Sequence, residues 1–216
     1  MKPLVFLLAV LFLCGCNQDP APGEAATTTP STAQPAVNET VQNLFEEVNV
    51  VKMHLFGTNE LEPTAENYPY TGKPIEEGQL KFLAADLQPN EIGSVYACYR
   101  TENNNFYILR VPGKYASSDL VLAKWDAATS KLVKVLALAS LQCDEGMCLQ
   151  QDAWLTDLDD DRSLELVIRK QTNDNGKVSD AAFQVLSQQP PGSFTPAPES
   201  LASLAPPTSY VLNKVK

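Results

Sequence analysis

The stretch AWLTDLDDDRSLELVIRK, residues 153–170, joins two β-prone runs through a loop that is crowded with acidic side chains. AWLT enters the loop and LELVIRK leaves it, so the pattern predicts two strands joined by an acidic turn. The loop places five carboxylates within the nine positions 157–165. Carboxylates this close raise one another's pKa and repel unless a cation or water lies between them. The first question that the sequence raises is therefore whether this loop binds a cation.

Strand-like segments recur through the middle of the chain, separated by short polar turns. The turns TENNN (101–105) and DAATSK (126–131) suit hairpins, and NDNG (173–176) is turn-forming. Between the turns lie about seven apolar, β-prone runs. These runs are residues 94–100, 106–111, 120–125, 132–138, 153–156, 164–170 and 181–186. The pattern predicts a mainly β fold, an antiparallel sheet or sandwich.

A short helix is predicted on the N-terminal side of this sheet. The apolar residues of segment 37–48 fall at helical spacing, and Asn38 is a suitable N-cap. We therefore expect an amphipathic helix over residues 38–48. The next run, VVKMHLF (50–56), fits either an extension of the helix or a first strand. The helical positions are Val37, Val41, Leu44, Phe45 and Val48.

Two segments of the domain are rich in turn-forming residues. Residues 57–79 contain several glycines and prolines and carry Tyr68 and Tyr70, which either form a recognition surface or close over the edge of the core. Residues 187–216 form a Pro-rich tail, for which recognition by a partner and an extended strap both fit the composition. Within that tail, residues 210–212 fit a last short strand.

The N-terminus has the pattern of an export signal. Lys2 precedes an apolar run, residues 4–13, that is too short for a transmembrane helix. The run ends in LCGC (13–16), which resembles the signal box of bacterial lipoproteins. That resemblance implies a signal peptide over residues 1–15 and a lipid anchor on Cys16, although an ordinary signal peptide with a spare thiol is the alternative. Asn17 stands where the inner-membrane retention signal has Asp, so the resemblance implies the outer membrane.

The composition indicates a tether followed by a globular domain in the expected exported chain, and its charge excludes nucleic acid as a partner. Residues 16–36 hold the lipidated cysteine and a Pro-rich, disordered tether, and residues 37–186 form the β-rich globular domain. Cleavage removes Lys2, one of 16 basic residues, and none of the 26 acidic residues, which leaves a formal charge of −11. Such a chain repels phosphate backbones, so we expect no nucleic-acid partner.

The spacing of the acidic loop suits Ca²⁺. This hard cation takes six to eight oxygen ligands, and a loop that supplies carboxylates at positions 1, 3, 5 and 9 and a backbone carbonyl at position 7 wraps around it. A solvated acidic turn is the alternative. An EF-hand is excluded because its twelfth position, which needs an acid, is Ile168. The five positions are Asp157, Asp159, Asp161, Ser163 and Glu165.

With strands on both sides, the spacing D-x-D-x-D-x-x-x-E-L resembles the calcium loops of FG-GAP repeats in integrin-type propellers. The resemblance covers about a dozen residues and implies the three alternating aspartates and Glu165 as side-chain ligands. The sixth position, a glycine in that family, is Arg162 here, and a left-handed backbone at this position would cost about 1 kcal/mol. A whole propeller is excluded because the loop occurs only once.

Three cysteines remain for the exported domain. Cys143 and Cys148 flank a turn with Gly146 at its bend, so a local disulfide is our first expectation in an oxidising compartment. Cys98 is then left over, and pairing of Cys98 with either of the other two is the alternative.

No catalytic set stands out in the sequence. His54 is the single histidine, and no nucleophile elbow, P-loop or dinucleotide-binding motif occurs. We therefore expect a non-enzymatic, outer-membrane-anchored envelope lipoprotein. Its β domain would be stabilised by Ca²⁺ and would bind an envelope protein or glycan, or serve as a structural module. The alternative is a periplasmic hydrolase, or an inhibitor of one, with a groove formed by the 57–79 loop.

Overall fold

A computed structural model describes residues 41–102, 106–179, 182–190 and 192–214. The predicted signal peptide (1–15) and the predicted lipid-anchored cysteine and tether (16–36) lie outside these residues. The described part is mainly β, with two four-residue helices, Glu77–Leu80 and Glu199–Ala202, and two 3₁₀ turns, Ala85–Leu87 and Pro207–Ser209. Within it, no helix has the length and apolar character needed to cross a membrane.

Twelve strands make up the sheet in the described residues. In chain order they are β1 (Glu46–Val48), β2 (Lys52–Phe56), β3 (Lys73–Pro74), β4 (Tyr96–Thr101), β5 (Phe106–Pro112), β6 (Ser118–Asp126), β7 (Lys131–Asp144), β8 (Met147–Thr156), β9 (Glu165–Asp174), β10 (Lys177–Val178), β11 (Ala182–Gln189) and β12 (Ser193–Pro196).

The sheet is largely antiparallel. Its main path runs β1-β4-β5-β6-β7-β8-β9-β11-β12, while β3 pairs with β4, β2 with β8 and β10 with β9. Among the described pairs, β1 with β4 is the parallel one. Most of the path follows chain order because short turns connect neighbouring strands, which is the pattern that antiparallel hairpins produce.

Strand β7 is shared between two halves of the sheet. Its first part pairs with β6 up to Ala139, and from Ser140 onward it pairs with β8. Strand β2 then occupies the edge of β8 that β7 has left, since Lys52 to Phe56 pair with the last five residues of β8. Strand β7 thereby divides the sheet into a first half (β1, β3–β6) and a second half (β2, β8–β12).

The two halves pack against each other around one core, and each outer face has a core of its own. Along β5, Phe106 and Ile108 belong to the central core, whereas the alternate residue Tyr107 belongs to the outer core of the first half. Along β9, Leu166 lies in the central core and Val167 in the outer core of the second half. Successive residues of a strand point to opposite faces, so strands buried on both faces are nearly continuous in apolar residues.

Segments from the two ends of the domain cover the outer faces. Val41 and Phe45 are buried against the first half, where the Phe45 ring contacts Tyr107 edge to face. Ala205 and Tyr210 are buried against the second half. The Pro-rich tail therefore begins as part of the sheet, through the end of β11 and all of β12, and continues as a strap over its outer face.

The mainly β prediction is confirmed, but the predicted helix over 38–48 is wrong. Residues 38–40 lie outside the described part, only Val41 and Gln42 are helical, and the chain enters β1 at Glu46. The apolar spacing comes from a turn that buries Val41 and Phe45, and pairing of β1 with β4 outweighs the helical periodicity.

The number of strands was underestimated, and several strands are longer than predicted. Strand β7 continues to Asp144 and β8 begins at Met147, so they form a hairpin closed by Glu145 and Gly146. Both turn residues have positive φ, 44° and 90°, as a type I′ turn requires. The expected last strand at 210–212 is not formed.

The crossing of β2 and β7 predicts a severe effect of one methyl group. A Cβ on Gly57 would lie 2.5 Å from the backbone carbon of Ser140. Gly57→Ala should therefore lower the free energy of unfolding by at least about 1–3 kcal/mol, because backbone on both sides must move. Urea unfolding measures the effect. Gly78→Ala, where a Cβ meets nothing within 4 Å, is the control and should be neutral or slightly stabilising. Equal stability of the two variants would contradict this account.

Candidate metal site

The acidic loop is closed at its base by the sheet. Thr156, the last residue of β8, is the register partner of Glu165, the first residue of β9. The eight residues between them form the loop. Its two ends are attached to the most deeply buried part of the second half. There Leu155 of β8 and Leu166 of β9 are register partners, and both are fully buried. The loop therefore starts and ends at rigid positions, which favours a defined arrangement of its side chains.

Three carboxylates converge in this loop. One oxygen from each of Asp157, Asp159 and Glu165 lies within 4.8 Å of the other two. A calcium ion has oxygen ligands at about 2.3–2.6 Å, so oxygens on opposite sides of the ion are about 5 Å apart. The spacing of the three oxygens therefore matches the size of a single hard cation.

Hydrogen bonds from the loop backbone orient two of these carboxylates. The Leu158 N–H donates to Oε2 of Glu165 at 2.8 Å, and the Arg162 N–H donates to Oδ2 of Asp157 at 2.9 Å. Oδ1 of Asp157 is buried and has no hydrogen-bond partner among the described residues. A buried carboxylate oxygen without a partner is costly, so this atom requires a cation or water.

The electrostatic surroundings of Glu165 also favour a cation or water beside its carboxylate. Its side chain is 2% exposed, and burial raises the pKa of its carboxyl group. The negative charges of Asp159, Asp161 and Asp157 raise this pKa further, while the hydrogen bond from Leu158 acts in the opposite direction. A bound divalent cation would reverse the balance by favouring the ionised form.

The other two predicted ligands, Asp161 and Ser163, form a local turn with each other. Asp161 does not belong to the converging cluster. Its Oδ1 accepts the Ser163 N–H at 2.7 Å, which closes a local turn. Asp160 and Asp161 are both exposed. The sequence thus predicted the loop and the three carboxylates that converge in it. Asp161 lies outside the cluster because of its backbone turn with Ser163.

The sixth position of the loop, Arg162, has a left-handed backbone. Arg162 has a φ of 72° and Asp160 a φ of 60°. A side chain with a Cβ is strained in this region, at a cost of about 1 kcal/mol. The loop therefore carries a backbone cost at Arg162 that a glycine would avoid.

The two candidate recognition tyrosines are buried. Tyr68 is 2% exposed and Tyr70 is 6% exposed. The Tyr68 hydroxyl donates to the Phe56 carbonyl at 2.9 Å, and that of Tyr70 donates to the His54 carbonyl. Burial raises the pKa of both hydroxyls. Of the two roles considered for these tyrosines, the structure shows the second, since both rings close over the core. Buried rings contradict the alternative of an exposed recognition surface.

The cysteines follow the first expectation. Cys143 and Cys148 form a disulfide across the register pair that ends the β7–β8 hairpin. Cys98 is free and buried, and its thiol lies 3.5 Å from the Tyr70 carbonyl. Burial raises the pKa of this thiol to about 12, so it stays protonated and unreactive at neutral pH.

A second polar cluster, which the sequence did not indicate, lies on the outer face of β8. The Asp152 side chain is fully buried, and its Oδ2 lies 2.7 Å from Nε2 of His54. The same carboxylate accepts hydrogen bonds from the Gln150 amide and from the Asn213 N–H. The His54 ring also stacks on Trp154, with the ring centroids 4.4 Å apart. His54 and Asn213 are far from Asp152 in sequence and share no motif with it, so only the tertiary structure reveals the cluster.

The fold and this site define a mainly β domain with an acidic cluster that is suited to a metal ion. The chain matches no known family model, no curated protein and no solved structure.

The backbone strain at the loop predicts a difference between two substitutions. Arg162→Gly should be more stable than Arg162→Ala by about 1 kcal/mol, because only glycine adopts a φ of 72° without a steric cost. Thermal or urea unfolding in EDTA measures this difference without a metal contribution. Both variants lose the same guanidinium group, so each serves as the other's control. Equal stability would mean that the loop relaxes around position 162.

The buried carboxylate on β8 predicts a second effect on stability. Asp152→Asn should lower the free energy of unfolding by about 1–3 kcal/mol, since an amide cannot accept all the hydrogen bonds that the carboxylate receives. Asp144→Asn, an exposed position on β7, is the matched control and should change stability little. The contradicting result would be two variants that unfold at the same urea concentration.

Proposed function

We propose that the protein is a non-enzymatic envelope lipoprotein whose β domain is stabilised by Ca²⁺ in the loop 157–165 and serves as a binding or structural module. The proposal depends mainly on one observation, the convergence of the Asp157, Asp159 and Glu165 carboxylates, one of which also has a buried oxygen without a hydrogen-bond partner. A solvated acidic turn would instead direct its carboxylates outward, away from one another.

The chemistry of the donors favours calcium over other metals. All three side chains are carboxylates, and hard oxygen ligands favour calcium, magnesium or manganese over zinc, which prefers nitrogen and sulfur. Magnesium requires a tighter octahedral arrangement at about 2.1 Å and usually retains several waters. A loop that offers further oxygens at Asp161 and the Ser163 carbonyl suits the larger coordination number of calcium better.

The position of the site favours a structural role for the metal. Glu165 is nearly fully buried at the start of β9, and Asp157 follows the end of β8 directly. An ion held by both would tie the two central strands of the second half together where they leave the core. Metal binding would then add its free energy to folding.

The proposed location depends on the N-terminal motif. The resemblance of LCGC (13–16) to the lipoprotein box favours a lipid anchor on Cys16 in the outer membrane, followed by the tether. The alternative of a hydrolase or hydrolase inhibitor relied on a groove with accessible Tyr68 and Tyr70. Since both rings are buried, we favour the non-enzymatic role.

Calcium should raise the melting temperature of the wild-type protein. At a concentration of about 100 times Kd the stabilisation is about 2.7 kcal/mol, which corresponds to a shift of roughly 5–10 °C for a domain of this size. Asp159→Asn should abolish the shift, because it removes one of the converging carboxylates. The measurement is a thermal melt in EDTA and then in millimolar calcium, with magnesium as a second ion.

Asp160→Asn is the matched control for this experiment. Asp160 is exposed and lies outside the converging cluster, so this variant should retain the calcium shift. Absence of a shift in the wild type would show that the loop is only a solvated turn. An equal shift in Asp159→Asn would place the metal elsewhere.

A further inference from the structure

The C-terminal residues 207–214, here called the strap, contact the outer face of the second half of the sheet. Strap atoms contact β2, β8, β9 and β11 through Lys52, Gln150, Arg169 and Phe183. Within the described residues, the strap makes no backbone–backbone hydrogen bond to any strand. It is therefore held on the sheet by side chains and not as an added strand.

Two side chains of β8 bind the main chain of one strap residue. The Gln150 amide donates to the Asn213 carbonyl at 2.7 Å, and Oδ2 of Asp152 accepts the Asn213 N–H at 2.7 Å. Gln150 also donates to Oδ1 of Asp152, and His54 lies at hydrogen-bond distance from Oδ2. The hydrogen bonds of Asp152 to Gln150 and His54 do not involve the strap. They hold the Gln150 donor and the Asp152 acceptor at the spacing of the carbonyl and N–H of one peptide residue.

The next strand continues this main-chain recognition. The Arg169 guanidinium donates to the carbonyls of Pro207 and Tyr210. All these polar contacts between sheet and strap involve strap backbone atoms, so they do not depend on the strap's side chains. Val211 is 65% exposed, and Asn213 and Lys214 are also exposed, which agrees with this pattern.

One strap side chain is bound in a specific slot. The Tyr210 ring is 4% exposed and packs edge to face on Trp154, with a centroid distance of 5.3 Å. The Lys52 ammonium lies 4.3 Å from the centre of the Tyr210 ring. The slot therefore selects an aromatic residue, three positions before the residue whose backbone is held by Gln150 and Asp152.

A groove of 480 Å³ continues beside the strap. It runs along β8 and β9 to the Cys143–Cys148 disulfide, and its lining includes Gln171, for whose side-chain amide the described residues provide no hydrogen-bond partner. The groove is polar and its side-chain amides can both donate and accept hydrogen bonds. The remaining lining residues are Cys148, Gln150, Arg169, Asn173 and residues 211–214.

We propose that the part of the outer face that the strap covers, together with the groove beside it, is a peptide-binding site for an extended polypeptide segment with one aromatic residue, and that the strap is its resident, displaceable occupant. Gln150, Asp152 and Arg169 bind the main chain of the peptide. The slot at Trp154 binds one aromatic side chain. This proposal goes beyond the calcium-dependent function and does not depend on it.

The geometry favours a peptide over a glycan. Glycan sites commonly present a flat aromatic face to a sugar ring, but Trp154 is 4% exposed and one of its faces stacks on His54. A donor and an acceptor that bind the carbonyl and the N–H of one residue match the peptide backbone. Sugars offer hydroxyl groups that both donate and accept, without this fixed pairing.

The test uses the full-length chain and a fluorescent peptide with the sequence PPTSYVLNKVK (206–216). Tyr210→Ala empties the aromatic slot, and Asn213→Pro removes the N–H that Asp152 accepts, which weakens the binding of the strap although its tyrosine is kept. Fluorescence polarisation should show that both variants bind the peptide at least tenfold more tightly than the wild type, whose own strap competes. Adding Gln150→Ala to either variant should weaken binding at least tenfold, and a peptide with Ala in place of its Tyr should bind equally weakly.

Several results would overturn the proposal. The first is a variant that is folded by circular dichroism and binds no peptide. The second is binding that is unchanged by Gln150→Ala. The third is binding of a chitin tetrasaccharide with the same Gln150 dependence and without peptide binding, which would assign the groove to glycans. If Tyr210→Ala fails to fold, Asn213→Pro decides alone, because it keeps the buried ring. All titrations are repeated in EDTA and in calcium, so a failure of the metal loop is seen separately.

Discussion

The arrangement of the domain depends on the change of partner in β7. Up to Ala139 this strand is hydrogen-bonded to β6, and from Ser140 it is hydrogen-bonded to β8. One continuous strand therefore belongs to both halves of the sheet and fixes their relative position. The edge of β8 that β7 leaves is filled by β2, and the crossing is so close that Gly57 has no room for a side chain. The central core, the acidic loop and the groove all lie on strands that this crossing holds in register.

Burial on both faces explains why part of the fold was visible in the sequence. Strands such as β5 and β9 contribute alternate side chains to two different cores, so they appear as continuous apolar runs with a clear β preference. Strands outside these cores lack that signal. The hairpin at 140–151 is polar and extends β7 and β8 beyond the apolar runs, and β1 resembles a helix because a buried turn precedes it. The local sequence pattern therefore predicted the buried strands. It did not predict the strands and strand extensions that form through tertiary pairing.

The two sites differ in the same way. The acidic loop is contiguous, so its carboxylates were recognised from their spacing, and three of them converge in the structure. The position of Asp161 was not predictable, because it depends on a backbone turn with Ser163. The Asp152 cluster joins residues 98 and 61 positions away, His54 and Asn213. No spacing in the sequence connects these residues, and only the sheet topology brings them together.

The pairing of β2 with β8 also has a consequence for how fast the domain folds. His54 and its register partner Trp154 are separated by about a hundred residues, whereas most other neighbours in the sheet are joined by short turns. The meander from β4 to β9 can form through local contacts, but β2 cannot find its partner until that meander exists. Contacts at such sequence separation slow the search for the native state. During synthesis, β2 leaves the ribosome well before β8 and is paired last, so its apolar residues remain exposed until β8 has been made.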